Sequence, residues 1–476
     1  MDVHVSLVGR EDLAGQIYQQ IRAAILAGRL GAGAPLPSTR ELASRLAVAR
    51  NTVSSAYDRL TAEGFLSSRA GVGTYVSVSA AQLDPPALAE FTDEPVPRPR
   101  AWWDAVPRPP DLSARPAEFD FRPGMPDAGL FPYATWRALL AGEVRGSATR
   151  TSAYGEPAGH PALRAAIARH VGLSRAVTAT ADAVLVTGGA QQAVDLIGRV
   201  LLEPGDTVAV EDPGYPPPRL AFTSLGANVV AVPVDSEGLV VDALPARARL
   251  VYVTPSHQFP LGHPMSLARR LALLAWARRS GAVIIEDDYD SEFRYTGRPL
   301  EPLHNLDQGR RVVYIGSFSK ILLPTLRLGF CVAPPSLQNA LRTAKFLADW
   351  HSPGPIQSAL ATFIDRGLLA RHVRRMRRIY QGRRERLLAC LSRDFTGRLA
   401  PIDAPAGLHL TAWLHPAVPG ADRDLVRAAA AAGFRVSALS NYAVAEPPPQ
   451  GIVFGYGLVE VDRIDEGLAR LRQMFD

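Results

Sequence analysis

The chain has 476 residues, 47% hydrophobic and 21% charged, with a formal net charge of +6. This is the composition of a globular protein of two or three domains, and it excludes fibrous and intrinsically disordered classes. Two cysteines, Cys331 and Cys390, give neither a disulfide framework nor metal-ligand spacing, and no apolar run approaches a membrane span.

In chain order, the start MDVHVSLVGREDLAG lacks the basic, apolar and cleavage segments of a signal peptide, so a cytoplasmic location is expected. Leu13, Ile17, Ile21 and Ile25 recur every four residues and predict a first helix ending near Gly28. PSTRELASRLAV predicts a second, opened by a capping box of Ser38 and Glu41. In ARNTVSSAYDRLTAEG, Val53, Ala56, Tyr57 and Leu60 form the core face of a third helix. Its other faces carry Arg50, Asn51, Thr52, Ser54, Ser55 and Asp58, short polar groups suited to a helix in a DNA major groove. Two short strands, FLSSR and TYVSV, follow around the glycine turn AGVG.

Helix, capping box, polar third helix and wing in this order resemble the winged helix-turn-helix of GntR-type bacterial regulators over residues 13–76. The resemblance implies double-stranded DNA as partner, with contacts from Arg40, Arg50, Asn51, Thr52 and Ser54 and from Gly71 in the wing. Ala49 departs from the family, which often has a capping serine there; such a cap is worth about 1 kcal/mol. A purely protein-binding helical module is the alternative, since residues 1–79 hold eight Arg against six Asp plus Glu.

From Asp84 to Pro116 there are nine prolines in 33 residues. Such a segment reads as a semi-rigid linker that cannot run as helix, reaching roughly 100 Å if fully extended. The expected division is therefore a DNA-binding domain over 1–79, a linker over 80–118 and an effector domain over 119–476, with a smaller lobe from about 350.

Beyond the linker, DAVLVTGG, DTVAVEDPG, RLVYVTPS, GAVIIEDDY and RRVVYIGSFS read as buried strands separated by helical stretches. Alternation of this kind predicts a mostly parallel α/β sheet, with ligand sites at the carboxyl ends of the strands. VTGGAQQAV places the amides of Gly189 and Ala190 at a helix start, which suits a phosphate but also fits an ordinary turn. Only two of the 52 Lys plus Arg residues are lysines, and one is Lys320 in SFSKILLPTLRLGF. Lysine, unlike arginine, becomes a nucleophilic amine when buried. Ser317, Ser319 and Arg327 around it offer donors and a bidentate cation for a phosphate. Asp287 ends a buried run and requires a partner such as a protonated pyridine nitrogen; Tyr289 lies within reach of a ring oxygen. Without a Walker-type GK[ST], EDDYD is not read as a magnesium site, and no metal is expected.

These parts resemble fold-type I aminotransferases from about Phe121 onward, and imply pyridoxal 5'-phosphate as cofactor. By that resemblance Lys320 is the Schiff-base lysine, Asp287 the partner of the pyridine nitrogen and Arg327 the phosphate arginine. Tyr215 in EDPGY is then the aromatic stacked on the ring, and Tyr154 reaches the phosphate of a second subunit. His257 in TPSHQFPLGHP stands open to two readings, a replacement for the family's ring-oxygen asparagine or a satisfied loop histidine. RHVRRMRRIYQGRRER is either a second DNA-contacting surface or an exposed arginine-rich helix.

The winged helix, linker and aminotransferase-like region together resemble the MocR subfamily of GntR-type regulators. That implies a cytoplasmic, domain-swapped homodimer whose DNA binding responds to the cofactor, or to a small amino compound, through an internal aldimine at Lys320. The alternative is an active aminotransferase with an attached DNA-binding domain. Against it, PPPQGIVFGYGLVEV has no arginine until Arg463 to clamp a substrate carboxylate, so the expectation is a sensor with at most slow half-transamination.

Overall fold

The computed structural model describes residues 5–69, 73–77, 98–106, 117–147, 153–297, 300–308, 310–418 and 420–475. Its contacts divide the chain into two compact units, Met1–Asp104 and Ala105–Asp476. The division falls inside the proline-rich segment, between the boundaries expected from sequence.

In the first unit, helix α1 (Leu13–Leu26) buries Ile17, Ile21 and Ile25 as the four-residue spacing predicts, and adds Tyr18. Helix α2 (Thr39–Leu46) is capped by Ser38, whose Oγ accepts from the Glu41 amide at 3.2 Å. Only that half of the capping box forms, because the Glu41 carboxylate accepts from Arg45 at 2.7 Å instead. Helix α3 (Arg50–Ala62) buries Val53, Ala56, Tyr57 and Leu60, and Ala49 gives it no side-chain cap. The strands after it, β2 (Leu66–Arg69) and β3 (Gly73–Val76), pair antiparallel. A third strand, β1 (Pro35–Leu36), joins the far side of β3. Its two residues begin with proline, which argues against a strand in any local reading and is tolerated here because β1 is an edge.

The short helix Ala101–Ala105 corrects the expectation that the linker holds no helix. Between Pro99 and Pro107 lies a proline-free island in which Trp102 and Trp103 meet edge-to-face at 4.6 Å.

In the second unit all five expected strands form: β5 (Val184–Thr187), β6 (Thr207–Asp212), β9 (Ala248–Val253), β10 (Val283–Asp288) and β11 (Val312–Ser317). They share an eight-stranded sheet with β7 (Asn228–Asp235), β8 (Gly238–Leu239) and β12 (Gly329–Val332), in the order β5-β12-β11-β10-β9-β6-β7-β8. Neighbours from β11 to β7 are parallel, whereas β12 runs antiparallel to both β11 and β5. β12 reverses because only 11 residues, 318–328, separate it from β11, and a parallel return needs a crossover of about a dozen or more. Strands β9 and β10 are buried on both faces apart from Arg249 and Val283, and β10 ends on three buried carboxylates, Glu286, Asp287 and Asp288.

A short parallel pair, β4 (Phe119–Asp120) with β15 (Phe434–Arg435), stacks Phe119 on Phe434 at 4.9 Å. Beside it stands an antiparallel sheet of β13 (Leu399–Pro401), β14 (His409–Leu414), β17 (Gly451–Gly455) and β16 (Ser437–Ala438). The basic run lies in the helix Leu368–Asp394. Its Arg371, Arg374, Arg375 and Arg378 are exposed, whereas Arg383 is buried and pairs with Asp127 at 2.7 Å. No helix among the described residues is long and apolar enough to cross a membrane.

Candidate cofactor site

The carboxyl ends of β6, β9, β10 and β11 converge on a cavity of about 320 Å³. Eight of the residues singled out in the sequence line it: Ala190, Tyr215, Asp287, Tyr289, Ser317, Ser319, Lys320 and Arg327. Surface clefts of about 550 and 610 Å³ elsewhere hold none of them.

Lys320 follows β11 in a turn, and its Nζ donates to the Gly124 carbonyl at 2.7 Å. Burial lowers its pKa, while Asp290 and Asp287 act in the opposite sense. Asp287 is 4% exposed at the end of β10. Its Oδ2 accepts from the Tyr252 hydroxyl at 2.6 Å and its Oδ1 has no partner. Burial pushes this carboxyl up to about 7 against the opposing Tyr252 bond, so the wall presents an acid in need of a cation.

At the other end, Gly189 caps the helix Ala190–Leu201 with φ 101°, and no side chain caps that helix. A Cβ on Gly189 would lie 3.1 Å from a guanidinium nitrogen of Arg327, so a larger residue here crowds the arginine. Arg327 donates to the Gly188 carbonyl and itself holds a left-handed φ of 50°. Non-glycine residues in that region carry strain and concentrate at functional sites. The Ser319 amide donates to Ser317 Oγ at 3.1 Å. A lysine, an unpartnered buried carboxylate oxygen, a glycine-led helix start and an arginine in one cavity fit a phosphorylated pyridine aldehyde.

Three predicted residues stand outside the wall: Gly189, which adjoins Arg327 at the helix start, His257 and Tyr154. His257 lies behind Tyr289, whose hydroxyl donates to the His257 carbonyl at 2.9 Å. Tyr154 is 74% exposed and stacks on Trp350 at 4.3 Å. Sequence reasoning missed Tyr252, Thr254, Phe259, Gly124 and Tyr442, which also line the cavity. Only Tyr252 carried a signal, a polar tip at the end of an apolar strand; Gly124 and Tyr442 come from segments remote in sequence.

In the first unit, Arg40, Arg50 and Asn51 are exposed, and Thr52 and Ser54 are partly so. Arg50 Nε donates to Thr39 Oγ1 at 3.3 Å, which ties the starts of α2 and α3 together. Gly71 lies outside the described residues.

Residues 13–76 match the gntR family of bacterial regulatory proteins, and residues 127–448 match aminotransferase class I and II. The probable rhizopine catabolism regulatory protein MocR of Rhizobium meliloti is 39% identical over 97% of this chain and 93% of its own length. This chain belongs to the MocR-type GntR regulators. A second relative of this MocR-type chain is the pyridoxine biosynthesis transcriptional regulator PdxR of Corynebacterium glutamicum, 33% identical over 96% of this chain and 94% of its own. Among solved structures, Pyrococcus horikoshii kynurenine aminotransferase superposes with a TM-score of 0.70 at 27% identity, covering 76% of this chain and 91% of that one. LysN of Thermus thermophilus, complexed with N-(5'-phosphopyridoxyl)-L-leucine, gives 0.69 at 29%, covering 75% and 91%. The MocR-type chain is thus a transcription regulator that joins a DNA-binding helix-turn-helix domain to a fold-type I aminotransferase-like domain.

Proposed function

We propose that this regulator holds pyridoxal 5'-phosphate in the cavity and that its occupancy controls DNA binding. The observation that carries this reading is the pairing of Lys320 with the half-satisfied Asp287 carboxylate in one cavity. Bound there, the cofactor supplies an aldehyde for amines and an electron-withdrawing ring. Lys320, its amine shifted toward the neutral form by burial, is the attachment point. Asp287 offers its free oxygen to the ring nitrogen, and Tyr215 packs on the ring. Arg327, Ser317 and Ser319, with the amides at Gly189 and Ala190, take the phosphate.

Arg463, the first arginine after the segment that clamps substrate in aminotransferases, packs over the Phe119 ring at 4.6 Å and donates to the Glu118 carbonyl. That placement favours sensing over turnover, with a small amino compound as second effector. Residues 1–79 are assigned to DNA recognition, 80–118 to the connection and 119–476 to sensing. The regulator is read as a cytoplasmic, domain-swapped homodimer with shared sites, in which the exposed Tyr154 is available to a second subunit.

The test is a titration of promoter DNA binding against pyridoxal 5'-phosphate, for wild type and Lys320→Ala. Wild type is expected to change its DNA affinity on loading, and Lys320→Ala to lose both that response and the near-visible absorbance of the loaded protein. Equal affinity with and without cofactor overturns the sensor reading, and repeated turnovers with an amino acid and a 2-oxo acid favour the enzyme.

A further inference from the structure

A surface segment near the C-terminus supplies part of the cavity wall, and one carboxylate ties its middle to the large sheet. Tyr442 lines the cavity at the end of the short turn Leu439–Tyr442, and residues 444–447 after it are exposed. Both ends of this segment are fixed by Asp422, which is 0% exposed. Its Oδ2 accepts from the Ser440 amide at 2.9 Å and from the Gly451 amide at 3.4 Å. Its Oδ1 accepts from Ser440 Oγ at 2.8 Å. Residues 440–451 thus form a strap whose two ends share one anchor.

The middle of the strap is held from the other side, by the carboxyl end of β6. Asp212, the last residue of that strand, is 8% exposed. Its Oδ1 accepts from the Val444 amide at 2.8 Å and its Oδ2 from the Ala445 amide at 2.9 Å. Two residues on, the Gly214 amide donates to the Tyr442 carbonyl at 2.9 Å. A Cβ on Gly214 would lie 2.1 Å from the Glu211 carbonyl oxygen, so the turn that carries this donor is tight. Each oxygen of the Asp212 carboxylate takes one backbone hydrogen, and such charge-assisted bonds are about twice as strong as neutral ones. The Tyr442 ring brought in by this clasp meets Phe259 edge-on at 5.0 Å, and Phe259 meets Tyr215 at 5.5 Å. All three rings line the cavity that holds Lys320.

We infer that Asp212 is a positioning residue: it pins the strap to β6, keeps Tyr442 in the cavity wall and so restricts access to the Lys320 amine. A cofactor aldehyde and an amine effector must both reach Lys320, so the clasp sets the rate of loading; that last step alone rests on the cofactor reading above. An exposed segment with few buried contacts opens locally at small cost. Without the Asp212 carboxylate, the Val444 and Ala445 amides turn to water and the strap opens between its Asp422 anchors.

The experiment is acetylation of the cofactor-free full chain with a succinimidyl ester, followed residue by residue by mass spectrometry. The chain has two lysines, and Lys345, 0% exposed on the helix Pro335–Asp349, reports general unfolding. Asp212→Ala should acetylate Lys320 roughly tenfold faster than wild type, the scale of a lost charge-assisted bond, with Lys345 unchanged. Asp212→Asn keeps one acceptor oxygen and should fall between the two. Tyr442→Ala should raise the Lys320 rate to a similar extent, and combining it with Asp212→Ala should go no further. A Lys320 rate in Asp212→Ala equal to wild type, a rise matched at Lys345, or additive rises in the double variant overturns the proposal. Loading wild type with pyridoxal 5'-phosphate should block acetylation of Lys320. If it does not, the cofactor reading fails, while the cofactor-free rates still decide what Asp212 does.

Discussion

The Tyr252 hydroxyl donates to Oδ2 of Asp287 at 2.6 Å and leaves Oδ1 of that buried carboxylate without a partner. One neutral donor stabilises the anion only in part, and burial still pushes the acid up to about 7. Two adjoining strands, β9 and β10, thereby hold a carboxylate whose ionisation a bound cation would complete.

A pH dependence follows. A carboxyl raised in the folded state binds its proton more tightly there than in the unfolded chain. Its burial therefore costs nothing at low pH, and the cost grows as pH rises from the unfolded value of 3.8 to about 7. Asp287→Asn removes that cost. Thermal unfolding of the cofactor-free chain should show the variant gaining on wild type between about pH 4 and pH 7 and holding that gain above pH 7. Cofactor affinity, measured by absorbance titration, should fall in the same variant by at least about tenfold, the scale of a charge-assisted bond.

Gly189 joins a left-handed backbone to a close approach by Arg327. Gly189→Ala should destabilise the chain by about 1 kcal/mol or more through the positive φ. It should also weaken cofactor binding by displacing the guanidinium. Inorganic phosphate competition against the loaded protein checks the second effect, since weakened phosphate contacts make release easier.

Arg50 stands at the start of α3, exposed and hydrogen-bonded to Thr39. Arg50→Ala should lower promoter affinity, and a lost phosphate contact should reduce the slope of log affinity against log salt by about one. An unchanged slope with altered sequence preference would instead assign Arg50 to base recognition.

Much of this was legible in the sequence where function is local. The α3 core face, the capping Ser38, the five buried strands and the Lys320–Arg327 turn all follow from periodicity or from chemistry within one short stretch. The misses share another property. β1 is two residues that pair only because β3 is brought beside them. The helix at Trp102 and Trp103 was hidden by the prolines around it. Tyr252, Gly124 and Tyr442 lie far apart in sequence and meet only at the cavity.

The sequence alone determined the two-part plan and the identity of the reactive amine, because helix periods, buried strand runs and the choice of lysine over arginine are written residue by residue. What only the tertiary structure decided is the state of the groups around that amine. Whether Asp287 is satisfied, whether His257 lines the cavity or stands behind it, and where the Tyr289 hydroxyl donates all depend on burial and on partners that chain neighbours do not supply. Those quantities arise from close packing between distant segments, and a pattern read along one strand cannot contain them.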